Sequence, residues 1–223
     1  MYFHKIPSFI QCFYPNYLWM IPEREKVLYL TFDDGPTQEI TEWVLDQLSQ
    51  YNAYATFFMV GNNVRRNPEI AHKVIDAGHT VGNHTQNHVN GWKTETRAYL
   101  REVLEAQNTI SEYTGYKTHL FRPPHGRITY TQAQYIRKHL EIVMMDTISG
   151  DFDNKIDAGV CIKNVVESAK PGSIIVFHDS LKAWDRLRLA LPETLRHFSE
   201  AGYKFASLQP FRPKETGLPK IFA

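Results

Sequence analysis

Short β-branched or aromatic runs alternate with longer segments of helical period along nearly the whole chain, and this alternation restricts the fold more than any other feature. Residues 27–32, 53–60, 79–83, 120–122, 142–146, 173–177 and 203–208 read as strands. Residues 38–51, 67–78, 94–113, 129–139, 160–169 and 187–200 carry helical spacing. Asn67-Pro68 supplies a cap followed by a proline at the first helical position, and Gly115 follows the end of the longest helix. Pro192 predicts a kink or restart in the last helix. Strands that take turns with helices in this way predict an α/β fold with a parallel sheet. Both a closed or partly open barrel and a doubly wound sheet fit the pattern.

Composition narrows the function classes. A length of 223 residues suits one domain. Lys plus Arg is 25 and Asp plus Glu is 24, a balance without the basic excess that a nucleic-acid binder needs. The most apolar early stretch, residues 9–21, is broken by Gln11, Pro15 and Asn16, so it predicts neither a membrane span nor a clear signal peptide. That reading gives a cytoplasmic location. Residues 1–25 read as an aromatic-rich strap packing on the body of the domain, 26–209 as the domain itself, and 210–223 as a loop-like tail. Cys12 and Cys161 read as buried thiols, too few for a disulfide framework. Trp92 and Trp184 fit either a sugar groove or the core.

The chemically capable residues fall just after the predicted strands. Asp33 and Asp34 follow the first, His84 and His88 the third, Arg122 ends the fourth, Asp151 lies beyond the fifth, and His178 with Asp179 follows the sixth. Sites in α/β folds form at the carboxyl ends of strands, so five strand ends direct chemistry to one face. His84-Thr-Gln-Asn-His88 sets two imidazoles on one side if the segment makes a helical turn. Two histidines and a carboxylate can hold a divalent metal and leave positions for water and substrate. The remaining Asp of the pair can take a proton from water, and Arg122 can pair with it. Asp151 can orient His178, whose protonated form can act as a general acid. Together these predict metal-assisted hydrolysis of an acyl bond.

At these residues the chain resembles the polysaccharide deacetylases of carbohydrate esterase family 4, the NodB homology domain, over about residues 27–208. Thr31-Phe-Asp-Asp-Gly35 resembles the first family motif, which implies Asp33 as catalytic base and Asp34 as metal ligand. His84-Thr-Gln-Asn-His88 resembles the second, with His84 and His88 as the other protein ligands. Arg122-Pro-Pro-His-Gly126 resembles the third, with Arg122 pairing the base and the His125 backbone N–H serving the oxyanion. Asp151-Phe152 resembles the fourth, with Asp151 tuning the catalytic histidine. Ile175-Val-Phe-His-Asp179 resembles the fifth, with His178 as the acid.

The resemblance implies a distorted, partly open (β/α) barrel of about seven parallel strands, an acetylated glycan substrate, and a divalent ion. Zinc is the ion that His and carboxylate ligands suit. It also implies export, against the reading of the N-terminus. Three positions depart from the family pattern: His125 stands for Tyr, Phe152 for Trp, and Val176 for Leu. They leave the reaction type intact and bear on the substrate, and the His125 imidazole stands as either a further metal ligand or a substrate contact.

Three rival readings remain at this point. Two His and a carboxylate also suit a non-haem iron oxygenase, although that chemistry has no place for Asp33 and His178. A relative of the same superfamily would hydrolyse small amides. A catalytically weak or inactive member would bind glycan and leave it intact.

Overall fold

The structure, a computed structural model, describes residues 3–209. The tail expected over 210–223 lies outside the described residues, as do the first two residues of the strap. The elements run α1 (Ser8–Phe13), β1 (Val27–Asp33), α2 (Ile40–Ser49), β2 (Ala55–Met59), α3 (Gly61–Arg66), α4 (Pro68–Asp76), β3 (Thr80–Asn83), α5 (Thr96–Thr114), β4 (Leu120–Phe121), α6 (Tyr130–Ile136), β5 (Glu141–Ile142), β6 (Thr147–Ile148), α7 (Ala158–Ser168), β7 (Ile174–His178), α8 (Trp184–Glu200) and β8 (Lys204–Phe205). Every strand pair is parallel. Seven strands lie side by side in the order β5-β4-β3-β2-β1-β7-β6, and β8 pairs with the start of β1.

Chain connectivity forces this sheet to curl. Laid flat, seven strands at about 4.8 Å spacing would put its edges roughly 29 Å apart. Yet the edge strands β5 and β6 are joined by residues 143–146 alone, a link that spans at most about 18 Å. The result is the distorted, partly open barrel. It also corrects the expected strand over 142–146. That run is the crossing from one barrel edge to the other; its ends still bond to the sheet, Val143 N–H to Phe121 O (2.8 Å) and Asp146 N–H to Ile174 O (3.2 Å), and the N-terminal segment pairs along it. Leu18 N–H donates to Ile142 O (2.8 Å), Met144 N–H to Leu18 O (2.7 Å), and Ile6 N–H to Asp146 O (2.9 Å). Lys5 Nζ reaches the buried Asp146 carboxylate at 2.5 Å, and Ser173 Oγ and Ile174 N–H also donate to that carboxylate.

Alternation along β1 separates two environments. Leu28, Leu30 and Phe32 face outward into a core shared with Val44 and Leu48 of α2, Cys161 and Val165 of α7, and Leu187, Leu191 and Leu195 of α8. Tyr29 faces the barrel interior, where it packs with Phe58, Leu120, Val143, Ile174 and Val176. Thr31 and Asp33 share that inner face. Helix α8 runs through Pro192 as one element, so the helix does not restart there. Cys161 is buried, whereas Cys12 is exposed on α1, because that helix buries none of its residues. Trp184 is partly buried and packs edge-on against Trp43 (5.1 Å) at the outer core. Among the described residues, no helix is long and apolar enough to cross a membrane.

Candidate active site

Sheet register brings the predicted residues together. Asp33 ends β1 directly beside His178 at the end of β7. Asp34 follows in the left-handed region (φ 83°), which turns the chain back over the strand ends. The pair sits on a tight turn because Gly35 lies against the buried Asp179. A Cβ at Gly35 would come 2.0 Å from Asp179 Oδ2. Asp179 accepts from Gly35 N–H (3.1 Å) and from the Thr41 hydroxyl (2.5 Å), and its own N–H donates to Asp33 O (3.2 Å). Burial pushes the Asp179 carboxyl up to about 8, and the Asp34 charge adds to the rise. Sequence reasoning gave this residue no role, although it directly follows His178. Gly35→Ala is expected to cost about 1–3 kcal/mol of stability through overpacking, read by thermal unfolding, and to displace the Asp33-Asp34 turn.

Asp33 is 4% exposed. Its Oδ1 accepts from Arg122 Nη1 at 2.7 Å. Arg122 is wholly buried, so each donor needs a partner. Nη1 also donates to Thr31 Oγ1 (2.7 Å), Nη2 to Met144 O (2.9 Å) and Nε to Val143 O (3.4 Å), while the guanidinium lies 4.2 Å from the Phe58 ring. The 143–146 crossing therefore supplies acceptors that a regular strand would have used in a ladder.

The two histidines do not sit on a helical turn. Thr85 (φ 64°) and His88 (φ 56°) are left-handed. Side chains shape the loop instead: Asn83 Oδ1 accepts from Thr85 N–H (2.9 Å), Glu102 carboxylate oxygens accept from Asn87, and Gln86 is buried against Asn62 and Thr109. The imidazoles still converge, with ring centres 5.1 Å apart. His84 is 1% exposed, and its Nδ1 lies 2.7 Å from Arg122 O. That bond places the proton on Nδ1 and leaves the Nε2 lone pair facing Asp34. Burial pushes His84 down to about 4.

Asp34, His84 and His88 each offer one ligand atom, and these atoms all lie within 4.8 Å of one another. Asp34 Oδ1 is buried without a hydrogen-bond partner, even though His88 Nε2 is 3.2 Å away. Leaving such an oxygen unsatisfied costs about 1–3 kcal/mol or more. Burial alone would raise the Asp34 carboxyl, but the imidazoles of His88, His178 and His84 hold it well below the usual range. One carboxylate oxygen and two imidazole nitrogens, aimed at one point with an orphaned acceptor among them, fit a divalent cation.

On the other flank, His178 Nδ1 is 2.8 Å from Asp151 Oδ1, and the backbone N–H of His178 donates to Oδ2 (2.7 Å). Asp151 is fully buried and also accepts from Ser149 Oγ (3.0 Å). Burial would lower His178, but the Asp151 charge and hydrogen bond overcome it and raise the imidazole to about 9. Phe152 stands edge-on to the His178 ring at 5.1 Å. His125 is left-handed (φ 59°), and its ring is 4.6 Å from that of His88. It falls outside the three-residue ligand group. Val176 is 2% exposed and packs in the barrel interior one pleat below His178.

Comparison with known proteins identifies the family. The profile of the polysaccharide deacetylase family matches residues 21–142. The chain is 32% identical over 192 residues to a peptidoglycan-N-acetylglucosamine deacetylase of Bacillus cereus, covering 85% of this chain and 90% of that protein. It is 33% identical over 183 residues to a peptidoglycan-N-acetylglucosamine deacetylase of Listeria monocytogenes, of which it spans 38%. A solved peptidoglycan N-acetylglucosamine deacetylase in complex with 4-naphthalen-1-yl-N-oxidanyl-benzamide superposes with a TM-score of 0.83 at 29% identity, covering 91% of this chain and 95% of that one. On these grounds the chain belongs to the polysaccharide deacetylase family.

Proposed function

We propose that the chain is a metal-dependent hydrolase that removes acetyl groups from N-acetylated hexosamines of a polysaccharide, with peptidoglycan strands as its substrate class. The substrate class follows the relatives, which are named for deacetylation of peptidoglycan N-acetylglucosamine and, in Bacillus subtilis, N-acetylmuramic acid. The observation that carries the reaction is the Asp34, His84 and His88 group, flanked by the Asp33–Arg122 and His178–Asp151 pairs.

Asp34, His84 and His88 would hold the ion, which when bound polarises a carbonyl and lowers the pKa of water. Asp33 takes the proton from the attacking water, and Arg122 fixes the carboxylate at the bottom of the site. The His125 backbone N–H stabilises the tetrahedral oxyanion on the substrate. His178 gives its proton to the departing amine, and Asp151 sets its tautomer and orientation.

The direct test is metal analysis of purified protein with acetate release measured on N-acetylglucosamine oligomers and peptidoglycan fragments. Acetate release that stops with a chelator and returns with zinc supports the proposal. Glycan binding without acetate release in metal-loaded protein would show an inactive member, and turnover of small amides alone would show a different amidase.

Asp151→Asn tests the acid. The Asp151 charge favours protonated His178, so removing that charge lets the proton leave at lower pH. The alkaline limb of the kcat/KM profile is expected to move down by about 1–3 pH units, with metal content preserved.

A further inference from the structure

We propose that Trp92 and Arg127 form a substrate subsite beside the reacting centre, which stacks on a neighbouring pyranose of the glycan and pairs with a carboxylate carried by it. The inference rests on the deacetylase reading above and extends it to which sugar flanks the target.

Trp92 is 64% exposed, an unusual place for an indole. It is nevertheless held firmly. Its Nε1–H donates to Ile128 O (3.1 Å), and its backbone N–H donates to Asn90 Oδ1 (3.0 Å). The turn that carries it, Gly91–Lys93, is bolted to the segment after Pro124–Gly126. The buried Gln132 amide donates to Gly91 O (2.9 Å) and Thr94 O (3.1 Å). Gly91 packs so closely that a Cβ there would come 2.5 Å from Arg127 O. The ring is thus fixed in solvent by two loops, and a fixed ring loses little entropy when a ligand stacks on it.

Both loops also build the reacting centre. Trp92 lies four residues after His88, and Arg127 two after His125. Four residues reach at most about 14 Å, so the ring stands within a few sugars of the Asp34, His84 and His88 group. The Arg127 guanidinium sits 5.1 Å from the Trp92 ring. Among the described residues it has no acidic partner and its side chain donates no hydrogen bond. The indole is 64% exposed and Arg127 is exposed beside it, so a pyranose laid on the indole can bring a carboxylate to the guanidinium. The free N–H fork matches a carboxylate in a bidentate pair. A lactyl-bearing N-acetylhexosamine offers both the pyranose face and the carboxylate.

The test compares parent, Trp92→Ala, Trp92→Phe and Arg127→Gln on two tetrasaccharides, one of N-acetylglucosamine alone and one alternating N-acetylglucosamine with N-acetylmuramic acid. Binding is read by calorimetry and acetate release by KM and kcat. Trp92→Ala is expected to weaken binding of both and raise KM about three- to tenfold, with Trp92→Phe recovering part of the loss. Arg127→Gln is expected to lose only the preference for the muramic-acid chain. Equal affinity of parent and Trp92→Ala for both tetrasaccharides would overturn the subsite. An unchanged preference in Arg127→Gln would overturn the carboxylate pairing. Calorimetry separates these outcomes from a failure of the deacetylase reading, which would appear as binding by the parent without acetate release.

Discussion

Asp33→Asn is expected to lower kcat about 10²–10⁴-fold while the protein keeps its metal. The substitution preserves shape and an oxygen that accepts from Arg122 Nη1, but it removes the site that takes the proton from water. Its cost to stability needs a separate reading. Arg122 is fully buried, and Asp33 is its anionic partner at 2.7 Å. Removing one partner of a buried ion pair can cost about 3–5 kcal/mol. The retained amide oxygen and the bonds to Thr31, Met144 and Val143 should hold the loss below that range. Thermal unfolding of the variant therefore accompanies the kinetics. Asp34→Asn is the matching control and should lose metal. If Asp33→Asn loses the metal and Asp34→Asn keeps it, the two aspartates have exchanged roles.

The site was more legible in the sequence than the strand edges were. Residues at five strand ends were readable because strand and helix periods are local properties, and parallel strands deliver their carboxyl ends to one face. Register then did the rest, setting Asp33 beside His178. The crossing at 143–146 reads as a strand because its apolar residues look β-like, whereas only its ends bond to the sheet and its middle pairs with the N-terminal segment, far away in sequence. The shape of the His84–His88 loop is not legible in the sequence because it comes from Asn83, Glu102 and Gln86 side chains rather than from a backbone period. Helix α3 was missed because its Gly-Asn-Asn start has no helical pattern. Asp179 is visible in the sequence beside His178, but its role is not, for a different reason. Its partners are Gly35 and Thr41, 144 and 138 residues away, and the sequence signal was only its place next to His178 and the glycine after the aspartate pair.

His84→Ala is expected to abolish turnover by removing a ligand from the centre that Asp33 and His178 serve. Replacing groups that merely orient metal-bound histidines costs about 10–100-fold in metal affinity, so loss of the histidine itself should cost at least as much. The fall in kcat should track the fall in bound metal, unlike that of Asp33→Asn. A second readout avoids dependence on activity. A ligand that binds only the folded state raises its stability by RT ln(1 + [L]/Kd), about 2.7 kcal/mol at 100-fold excess over Kd. Zinc should therefore raise the melting temperature of the parent and leave that of His84→Ala nearly unmoved. The variant also frees Arg122 O, the acceptor of the His84 Nδ1–H at 2.7 Å, so the metal-free protein should itself lose about 1–3 kcal/mol. That baseline loss is measured without zinc, and the zinc-induced rise is compared against it. A zinc response in His84→Ala equal to that of the parent would place the ion elsewhere, and the roles given to Asp33 and His178 would go with it.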